Sequence, residues 1–267
     1  MILKYAVLIF GAFFTLLPFI WMISSSFKSS SEIVKIPPSL FPAKLQFINY
    51  AKAWAAAPFG RYFINTVIVT IFTTIGVLIT TVLSAFAFSR LNFPGKKLVF
   101  SLFLATLMVP GEMLIITNFI TITKLKWINT YQAMIVPWLS NVFYIYLLTQ
   151  FFMQVPETLY LAAKVDNCSD FKYMMKVMVP MNKSPITTIA ILNIISSWNF
   201  FLWPLLVTNS DEMRVLSNGL IRFQTEAGSF YELVMAASCI LVMPIILIYL
   251  FLRKYVIEGV TQSGIKG

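Results

Sequence analysis

The chain has 267 residues, of which 59% are hydrophobic and only 11% are charged, and its mean hydropathy is +0.83. A soluble domain keeps about a quarter of its residues charged, so this composition is typical of an integral membrane protein. The net charge of +10 comes from basic residues scattered over the loops rather than clustered, and it predicts no nucleic-acid partner.

Six apolar stretches are long enough to cross a bilayer, which takes about 20 residues as a helix. They cover residues 5–27, 63–88, 98–123, 131–152, 186–207 and 233–252. We therefore expect one all-α transmembrane domain over residues 1–267. With the N-terminus inside, 11 Lys and Arg residues fall inside and 9 outside, so charge alone only weakly favours cytoplasmic termini.

The inner connector after the second stretch resembles a phosphate-binding loop only superficially. Arg90 stands where such a loop needs its first glycine, and Lys97 stands where it needs a hydroxyl. The chain is therefore not expected to bind or hydrolyse ATP by this route. It has no histidine, and Cys168 and Cys239 show neither metal-ligand spacing nor a disulfide pattern, so no metal and no cofactor are predicted.

Glu112 is the one charge well inside a predicted span. Ionisable residues in membranes are functional candidates by default, which would make Glu112 a gate or a substrate ligand. The preceding Pro110-Gly111 breaks the helix, so Glu112 can equally cap the segment that follows. The sequence leaves both interpretations open.

A polar segment between the fourth and fifth stretches, residues 156–185, is predicted to form a helix-turn-helix that we call the finger. Its first helix, Glu157–Val165, follows Pro156, and a bend falls at Asp166-Asn167 because Asn tolerates a left-handed backbone. The second helix, residues 169–179, is expected to begin at Ser169, to end at Pro180 and to carry one apolar stripe, which consists of Phe171, Met174, Met175 and Met178. A finger of this kind is either a docking surface or an amphipathic hairpin on lipid headgroups.

The finger resembles the coupling loop of ABC-importer permeases, whose pattern is Glu-Ala-Ala, then an Asp-Gly-Ala turn and a downstream Leu-Pro. The corresponding segments here are Leu161-Ala162-Ala163, Asp166-Asn167-Cys168 and Val179-Pro180. Leu161 replaces the glutamate, which removes an acidic contact with the ATPase, and Asn167 replaces the glycine of the bend.

Three further motifs resemble the carbohydrate permeases of this class. The segment from Ser197 to Pro204 reads Ser-Trp-Asn-Phe-Phe-Leu-Trp-Pro, and Met108-Val109-Pro110-Gly111-Glu112 resembles their third helix. The tail, residues 258–267, resembles their closing Glu-Gly to Lys-Gly pattern with one residue fewer. The resemblance therefore extends over nearly the whole chain.

The resemblance implies a permease subunit of an ATP-driven sugar importer in the cytoplasmic membrane. Its expected partners are a second, homologous permease, two ATPase subunits that bind the ATP, an extracytoplasmic solute-binding protein and the sugar. The finger and both termini would face the cytoplasm. Contact with the ATPase is expected from Leu161, Ala162, Ala163, Asp166, Asn167, Phe171, Met175 and Lys266.

Trp198, Asn199 and Trp203 are the predicted sugar contacts, because aromatic rings stack on sugar C–H faces and amides bind hydroxyls. The alternative is that Trp203-Pro204 only marks the membrane interface and a kink. Two other functions stay open: an ion-coupled secondary transporter, for which Glu112 is the only intramembrane ionisable group available, and an ABC-importer permease for a solute that is not a sugar.

Overall fold

The computed structural model describes residues 2–225 and 228–261. These residues form helices that are joined by loops, together with one short pair of antiparallel β-strands. The helices are α1 (Ile2–Ser26), α2 (Ser30–Ile33), α3 (Ile48–Ala55), α4 (Phe59–Arg90), α5 (Lys96–Thr106), α6 (Ile115–Lys124), α7 (Tyr131–Ile135), α8 (Val142–Met153), α9 (Glu157–Val165), α10 (Asp170–Tyr173), α11 (Val179–Met181), α12 (Lys183–Trp198), α13 (Leu202–Val207) and α14 (Tyr231–Thr261). Two two-residue strands, β1 (Gln224–Thr225) and β2 (Gly228–Ser229), pair antiparallel. Short 3₁₀ turns cover Gly111–Leu114, Val136–Trp138 and Leu216–Phe223.

Three helices of the described chain are each long and apolar enough to cross a membrane: Lys4–Ser26 within α1, Phe59–Arg90, and Tyr231–Leu250 within α14. They coincide with the first, second and sixth predicted spans. Two bent helix pairs raise the number of candidate spans to five if each pair is one span.

The third predicted span, 98–123, is wrong as a continuous helix. Helix α5 ends at Thr106, and the chain resumes in the Gly111–Leu114 turn and α6 with a bend of 91°. Pro110 accounts for the break, because it lacks an N–H and restricts the residue before it. The periodicity of apolar residues continues through this break, so hydropathy alone does not reveal it.

The fourth and fifth predicted spans are also broken. In 131–152 the chain bends by 42° between the Val136–Trp138 turn and α8. In 186–207 the 16-residue α12 ends at Trp198 and α13 begins at Leu202. Pro204 in α13 would clash with the carbonyl of Phe200 in a continuous helix, which explains why the two helices are separate.

The chain divides into two compact units whose boundaries fall inside α4 and α14: Met1–Asn65 with Arg214–Ile248, and Thr66–Met213 with Tyr249–Gly267. The first unit is held by aromatic side chains, since Phe59 lies at 5.8 Å from Tyr62 and 6.2 Å from Phe223 between ring centroids. Gly219 is needed beside them, because a Cβ there would meet Phe59 Cε1 at 2.6 Å.

The second unit contains the main apolar core, and the finger is part of it. Its fully or nearly fully buried side chains come from α4, α8, the finger and α12: Val77, Ala85, Phe86, Tyr144, Leu148, Phe152, Val155, Tyr173, Met174, Met178 and Ile189. The finger is therefore packed against α4, α8 and α12 through a shared apolar core.

Candidate functional site

The turn of the finger has the backbone that the sequence predicts. Asn167 has a φ of 54°, in the left-handed region, and the Ser169 hydroxyl accepts a hydrogen bond from the Lys172 N–H at 3.4 Å as an N-cap. Both predictions are confirmed. The bend depends on local backbone chemistry, which explains why a short sequence pattern is enough to find it.

The predicted helix end at Pro180 is wrong. Residues Met174–Met178 form a π-helical turn, in which the Val179 N–H bonds to the Met174 carbonyl, and α11 then continues through Pro180 to Met181. A proline in the first turn of a helical segment needs no N–H, and the widened turn before it relieves the clash with the preceding carbonyls. The finger therefore runs almost directly into α12.

The predicted single apolar stripe divides into two faces. Met174 and Met178 are buried in the core, whereas Phe171 and Met175 remain 67% and 47% exposed. On α9, Leu161 is 56% and Val165 is 87% exposed. Exposed apolar patches commonly mark interaction surfaces, so these four side chains form a candidate docking face, to which Val165 adds a residue that the sequence did not predict as a contact.

The other predicted docking residues lie close to this face. Ala162, Asp166 and Asn167 are exposed, while Ala163 is half-buried against the core. Lys266 lies outside the described residues. The structure thus brings the finger positions together on one short helix-turn-helix, and it gives Ala163 a packing contact in addition.

The two helices of the finger are locked together by polar contacts. Lys164 Nζ lies 2.7 Å from Asp170 Oδ1, and the Tyr160 hydroxyl donates to the same oxygen at 2.7 Å. The Lys164 hydrogen bond, followed by that of Tyr160, lowers the pKa of Asp170, and the Asp170 partner raises the pKa of Lys164. Burial and then the Asp170 contact raise the pKa of Tyr160.

Arg90 at the end of α4 anchors the base of the finger. Its Nη2 donates to the carbonyl of Phe152 at 2.8 Å and to the carbonyl of Val155. Phe152 lies in the last turn of α8 and Val155 just after it, where carbonyls lack the full set of helical N–H partners, so the guanidinium adds donors there. The end of α4 is consequently tied to the start of the finger.

An apolar groove of about 320 Å³ runs between α4 and the second half of the finger. It is lined by Leu78, Ile79, Val82, Leu83, Phe171, Met174, Met175 and Val179. Phe171 and Met175 therefore have one side toward this groove, which places α4 directly beneath the candidate docking face.

The tryptophans predicted to contact sugar are buried. Trp203 is 1% exposed and its Nε1 donates to the Ala133 carbonyl at 2.9 Å, and Trp198 is 4% exposed. Asn199 is exposed, with its Nδ2 donating to the Ile195 carbonyl at 2.9 Å, so it closes the end of α12.

Glu112 is exposed in the Gly111–Leu114 turn, and within the described chain its carboxylate makes no hydrogen bond or ion pair.

A polar cavity of about 160 Å³ lies beside Trp198 and Asn199 in the second unit. It is lined by Thr73, Trp138, Ser140, Asn141, Asn193, Ser196, Ser197 and Phe200. Of these residues only Ser197 and Phe200 belong to the Ser197–Pro204 motif, and the sequence predicted a contact role for none of them. A cluster of Asn and Ser inside apolar stretches would have been the available signal.

Comparison with known proteins assigns the chain to a family. Residues 78–262 match the binding-protein-dependent transport system inner membrane component family, and this match includes the finger, α14 and the residues that line the polar cavity, with the exception of Thr73.

The chain belongs to this family.

It is thus a multi-pass inner-membrane permease subunit of an ABC transport system. It is 31% identical over 261 residues to the arabinooligosaccharides transport system permease protein AraQ of Halalkalibacterium halodurans, covering 97% of this chain and 94% of AraQ. It is also 31% identical to the diacetylchitobiose uptake system permease protein NgcG of Streptomyces coelicolor, covering 98% of this chain and 87% of NgcG. The sn-glycerol-3-phosphate transport system permease protein UgpE of Rhizobium meliloti is 28% identical, covering 98% and 96%.

The fold has a solved counterpart. A chain of a bacterial ABC transporter involved in the import of the acidic polysaccharide alginate superposes with a TM-score of 0.83, covering 95% of each chain at 23% identity. At this identity the likeness shows the permease fold alone.

Proposed function

We propose that this permease is one membrane subunit of an ATP-driven importer for sugars, which an extracytoplasmic binding protein delivers. The observation that carries the proposal is the finger, a rigid helix-turn-helix with exposed apolar side chains and a core shared with the membrane helices. Three relatives are named for the transport of arabinooligosaccharides, diacetylchitobiose and sn-glycerol-3-phosphate, which favours a sugar or sugar derivative as the substrate here.

The proposed complex contains a second, homologous permease and two ATPase subunits. ATP would bind in the ATPase subunits, since the connector around Arg90 lacks the phosphate-binding pattern. No metal or other cofactor is required of this chain. Closure of the ATPases would move the finger, and the finger would move α4 through Arg90 and the shared core.

The docking surface proposed for the ATPase is the tip and the outer flank of the finger. Its contact residues would be Leu161, Ala162, Ala163, Asp166, Asn167, Phe171 and Met175, with Lys266 from the tail. Buried apolar anchors usually provide most of the affinity of such an interface, so Leu161 and Phe171 would contribute more than the polar residues. Leu161 in place of the family glutamate makes this interface more apolar than the usual one.

The proposed topology has six membrane crossings over residues 1–267, with both termini and the finger in the cytoplasm. Four crossings precede the finger and two follow it, so this parity puts all three on one side. The broken segments 98–123, 131–152 and 186–207 would each cross as bent helices. Irregular backbone at membrane depth is tolerated where it lines a cavity, as the breaks near Leu139 and Asn199 do.

The substrate path is proposed to run past Trp198, Asn199 and Trp203, with Glu112 at its outer end. Trp198 and Trp203 would shape the wall of the path from inside the core, and Asn199 would face it. The burial of both tryptophans and the hydrogen bond of Trp203 support a positioning role for them more than stacking on sugar.

The test is uptake of labelled arabinotriose, diacetylchitobiose and sn-glycerol 3-phosphate by membrane vesicles that contain the whole complex. Uptake of at least one of them should need ATP inside, the binding protein outside and an active ATPase subunit. It should persist when ionophores collapse the proton and sodium gradients. Uptake that ignores an inactive ATPase and stops with the ionophores would replace the proposal with an ion-coupled secondary transporter.

A cysteine crosslink tests the docking role of the finger separately. In a chain with Cys168→Ser, Leu161→Cys should crosslink to cysteines in the ATPase with a yield that changes on ATP addition. Lys52→Cys on α3, which is exposed but predicted to lie outside, is the control and should not crosslink. Equal yields at the two positions, or none in an active complex, would contradict the docking role.

A further inference from the structure

Two polar atoms at the polar cavity lack a partner among the residues that the structure describes. The Thr73 hydroxyl and the Trp138 Nε1 are buried, and neither makes a hydrogen bond within the described chain. Thr73 is only 4% exposed. An unpaired buried polar group is costly. The indole N–H can only donate and therefore needs an acceptor, whereas the Thr73 hydroxyl can pair with either a donor or an acceptor, and a sugar hydroxyl can serve both atoms.

The position of these atoms is what distinguishes them. Helix α4 has two other unpartnered hydroxyls, on Thr70 and Thr81, and neither lines the cavity. Thr73 and Trp138 come from different segments and meet at the same space. The rings of Phe200 and Trp203 pack edge-to-face with Trp138, with centroids 4.8 and 5.9 Å away. Trp138 is therefore fixed in place by its neighbours.

The remaining lining residues define the chemistry of the ligand. Asn193 donates to Thr74 Oγ1 at 3.0 Å and to Ser197 Oγ at 3.4 Å, which turns the hydroxyl and amide groups into one short network. Ser140, Asn141 and Ser196 add further neutral donors and acceptors, and among the side chains that the structure describes none that lines the cavity is charged. A carboxylate or phosphate would be left without a cation here, whereas a neutral polyol would be well matched.

The volume of the cavity sets the size of the ligand. Sites that enclose a whole drug-sized ligand usually measure about 300–1,000 Å³. About 160 Å³ has room for a single sugar ring. An oligosaccharide would therefore make contact one ring at a time, which suits a site that must release its ligand in every cycle.

We propose that this cavity is a transient binding site for one ring of a neutral sugar, with Trp138 Nε1 donating to a sugar oxygen and the Thr73 hydroxyl paired to a neighbouring one. The proposal rests on the sugar-importer function and adds two things to it, the contact residues and a preference for uncharged over phosphorylated or acidic sugars. Asn193 and Ser197 complete the site from α12.

The experiment measures ATP-driven uptake by the whole complex in vesicles, with labelled arabinotriose and diacetylchitobiose as neutral probes and sn-glycerol 3-phosphate as the charged probe. The wild type should take up a neutral probe at least about tenfold faster than the charged one. Trp138→Phe keeps the ring and removes the N–H, and Thr73→Val keeps the shape and removes the hydroxyl. Each should lower neutral uptake at low sugar concentration by about three- to tenfold, as expected for one lost hydrogen bond.

Thr81→Val is the matched control, because it removes an equally unpartnered hydroxyl from the same helix away from the cavity. It should leave uptake unchanged, with all rates normalised to the amount of assembled complex. If Thr73→Val behaves as Thr81→Val does, the site is overturned, even where Trp138→Phe fails to assemble. Faster uptake of the charged probe overturns the preference for neutral sugars while leaving ATP-driven import in place. Uptake that is independent of ATP removes the importer function and this site with it.

Discussion

Asn167 shows how one residue sets the shape of the finger. Its φ of 54° lies in a region where a side chain branched at Cβ is strained, and where glycine is free of strain. Asn167→Gly should therefore preserve uptake and the melting temperature of the purified complex. Asn167→Val should destabilise the finger by about 1–2 kcal/mol and reduce uptake. Wild-type behaviour of Asn167→Val would mean that the turn does not matter for coupling.

Gly76 marks a close approach inside the second unit. A Cβ at this position would lie 2.3 Å from Leu139 Cδ2 and 3.3 Å from Leu139 Cγ, while the Thr80 hydroxyl donates to the Leu139 carbonyl at 2.6 Å. Gly76→Ala should cost about 1–3 kcal/mol through overpacking and lower the melting temperature of the complex.

Gly60→Ala is the control on the same helix, because its Cβ would meet nothing nearer than Trp54 Cζ2 at 3.9 Å. It should leave the melting temperature unchanged or raise it, since alanine favours helix over glycine. Adding Leu139→Ala to Gly76→Ala should recover part of the loss. A double variant no better than the single one would show that the clash is not the cause.

Residues whose role is local could be predicted, and residues whose role depends on packing could not. Asn167 and Ser169 follow from backbone preferences within a few positions. Trp203 was predicted to face sugar, but its indole N–H is bonded to Ala133, 70 residues away in sequence. Trp138 and Thr73 carry no motif, and only the arrangement of α4 with the chain near Leu139 brings them to one cavity.

At the scale of elements, the Lys164–Asp170 ion pair between the two finger helices, which we call the lock, predicts how the coupling of transport to ATP hydrolysis responds to pH. Asp170 has a lowered pKa, so its contribution is present above its ordinary value of 3.8 and is lost as the pH falls through the folded value. Lys164 has a raised pKa, so its contribution is present below its ordinary value of 10.5 and is lost as the pH rises through the folded value. Both partners stay charged from mildly acid to mildly alkaline conditions.

Sugar taken up per ATP hydrolysed should accordingly be constant over this range in the wild type. Asp170→Asn removes the charge of the lock and should lower this ratio at every pH in the range. Lys172→Gln is the control, because Lys172 is an exposed lysine of the same finger without an ion pair in the described chain. An Asp170→Asn complex with the wild-type ratio would show that the lock has no part in transmission.

The helix breaks show the limit of prediction for whole elements. The apolar runs 98–123, 131–152 and 186–207 predict three membrane crossings, since burial in lipid requires that composition. They do not reveal the breaks at 107–110, 139–141 and 199–201, where proline and local packing decide the backbone. The π turn before Pro180 escaped prediction for the same reason, because a proline usually ends a helix.

At the scale of the molecule, six crossings require that α5 and α6 together span the bilayer. The 91° bend leaves a re-entrant loop as the alternative. Lys97→Cys and Lys124→Cys, each in a chain with Cys168→Ser and Cys239→Ala, should therefore react with an impermeant thiol reagent from opposite sides. We expect Lys124→Cys to react in intact cells and Lys97→Cys only after permeabilisation.

Two further positions calibrate this labelling. Lys44→Cys in the first loop should react from outside, and Lys172→Cys in the finger only from inside; both side chains are exposed. Reaction of Lys97→Cys and Lys124→Cys from the same side would make the segment re-entrant and would put the N-terminus and the finger on opposite faces.

The four methionines at the end of the finger also have a consequence in redox chemistry. Met174 and Met178 are closed off in the core, whereas Met175 and Met181 are 47% and 54% exposed, so oxidants reach only the second pair. Oxidation to the sulfoxide turns a flexible apolar side chain into a polar one, and reductases reverse it. Under the proposed docking, oxidative stress would uncouple this permease from ATP hydrolysis reversibly, while the buried sulfurs keep its core intact.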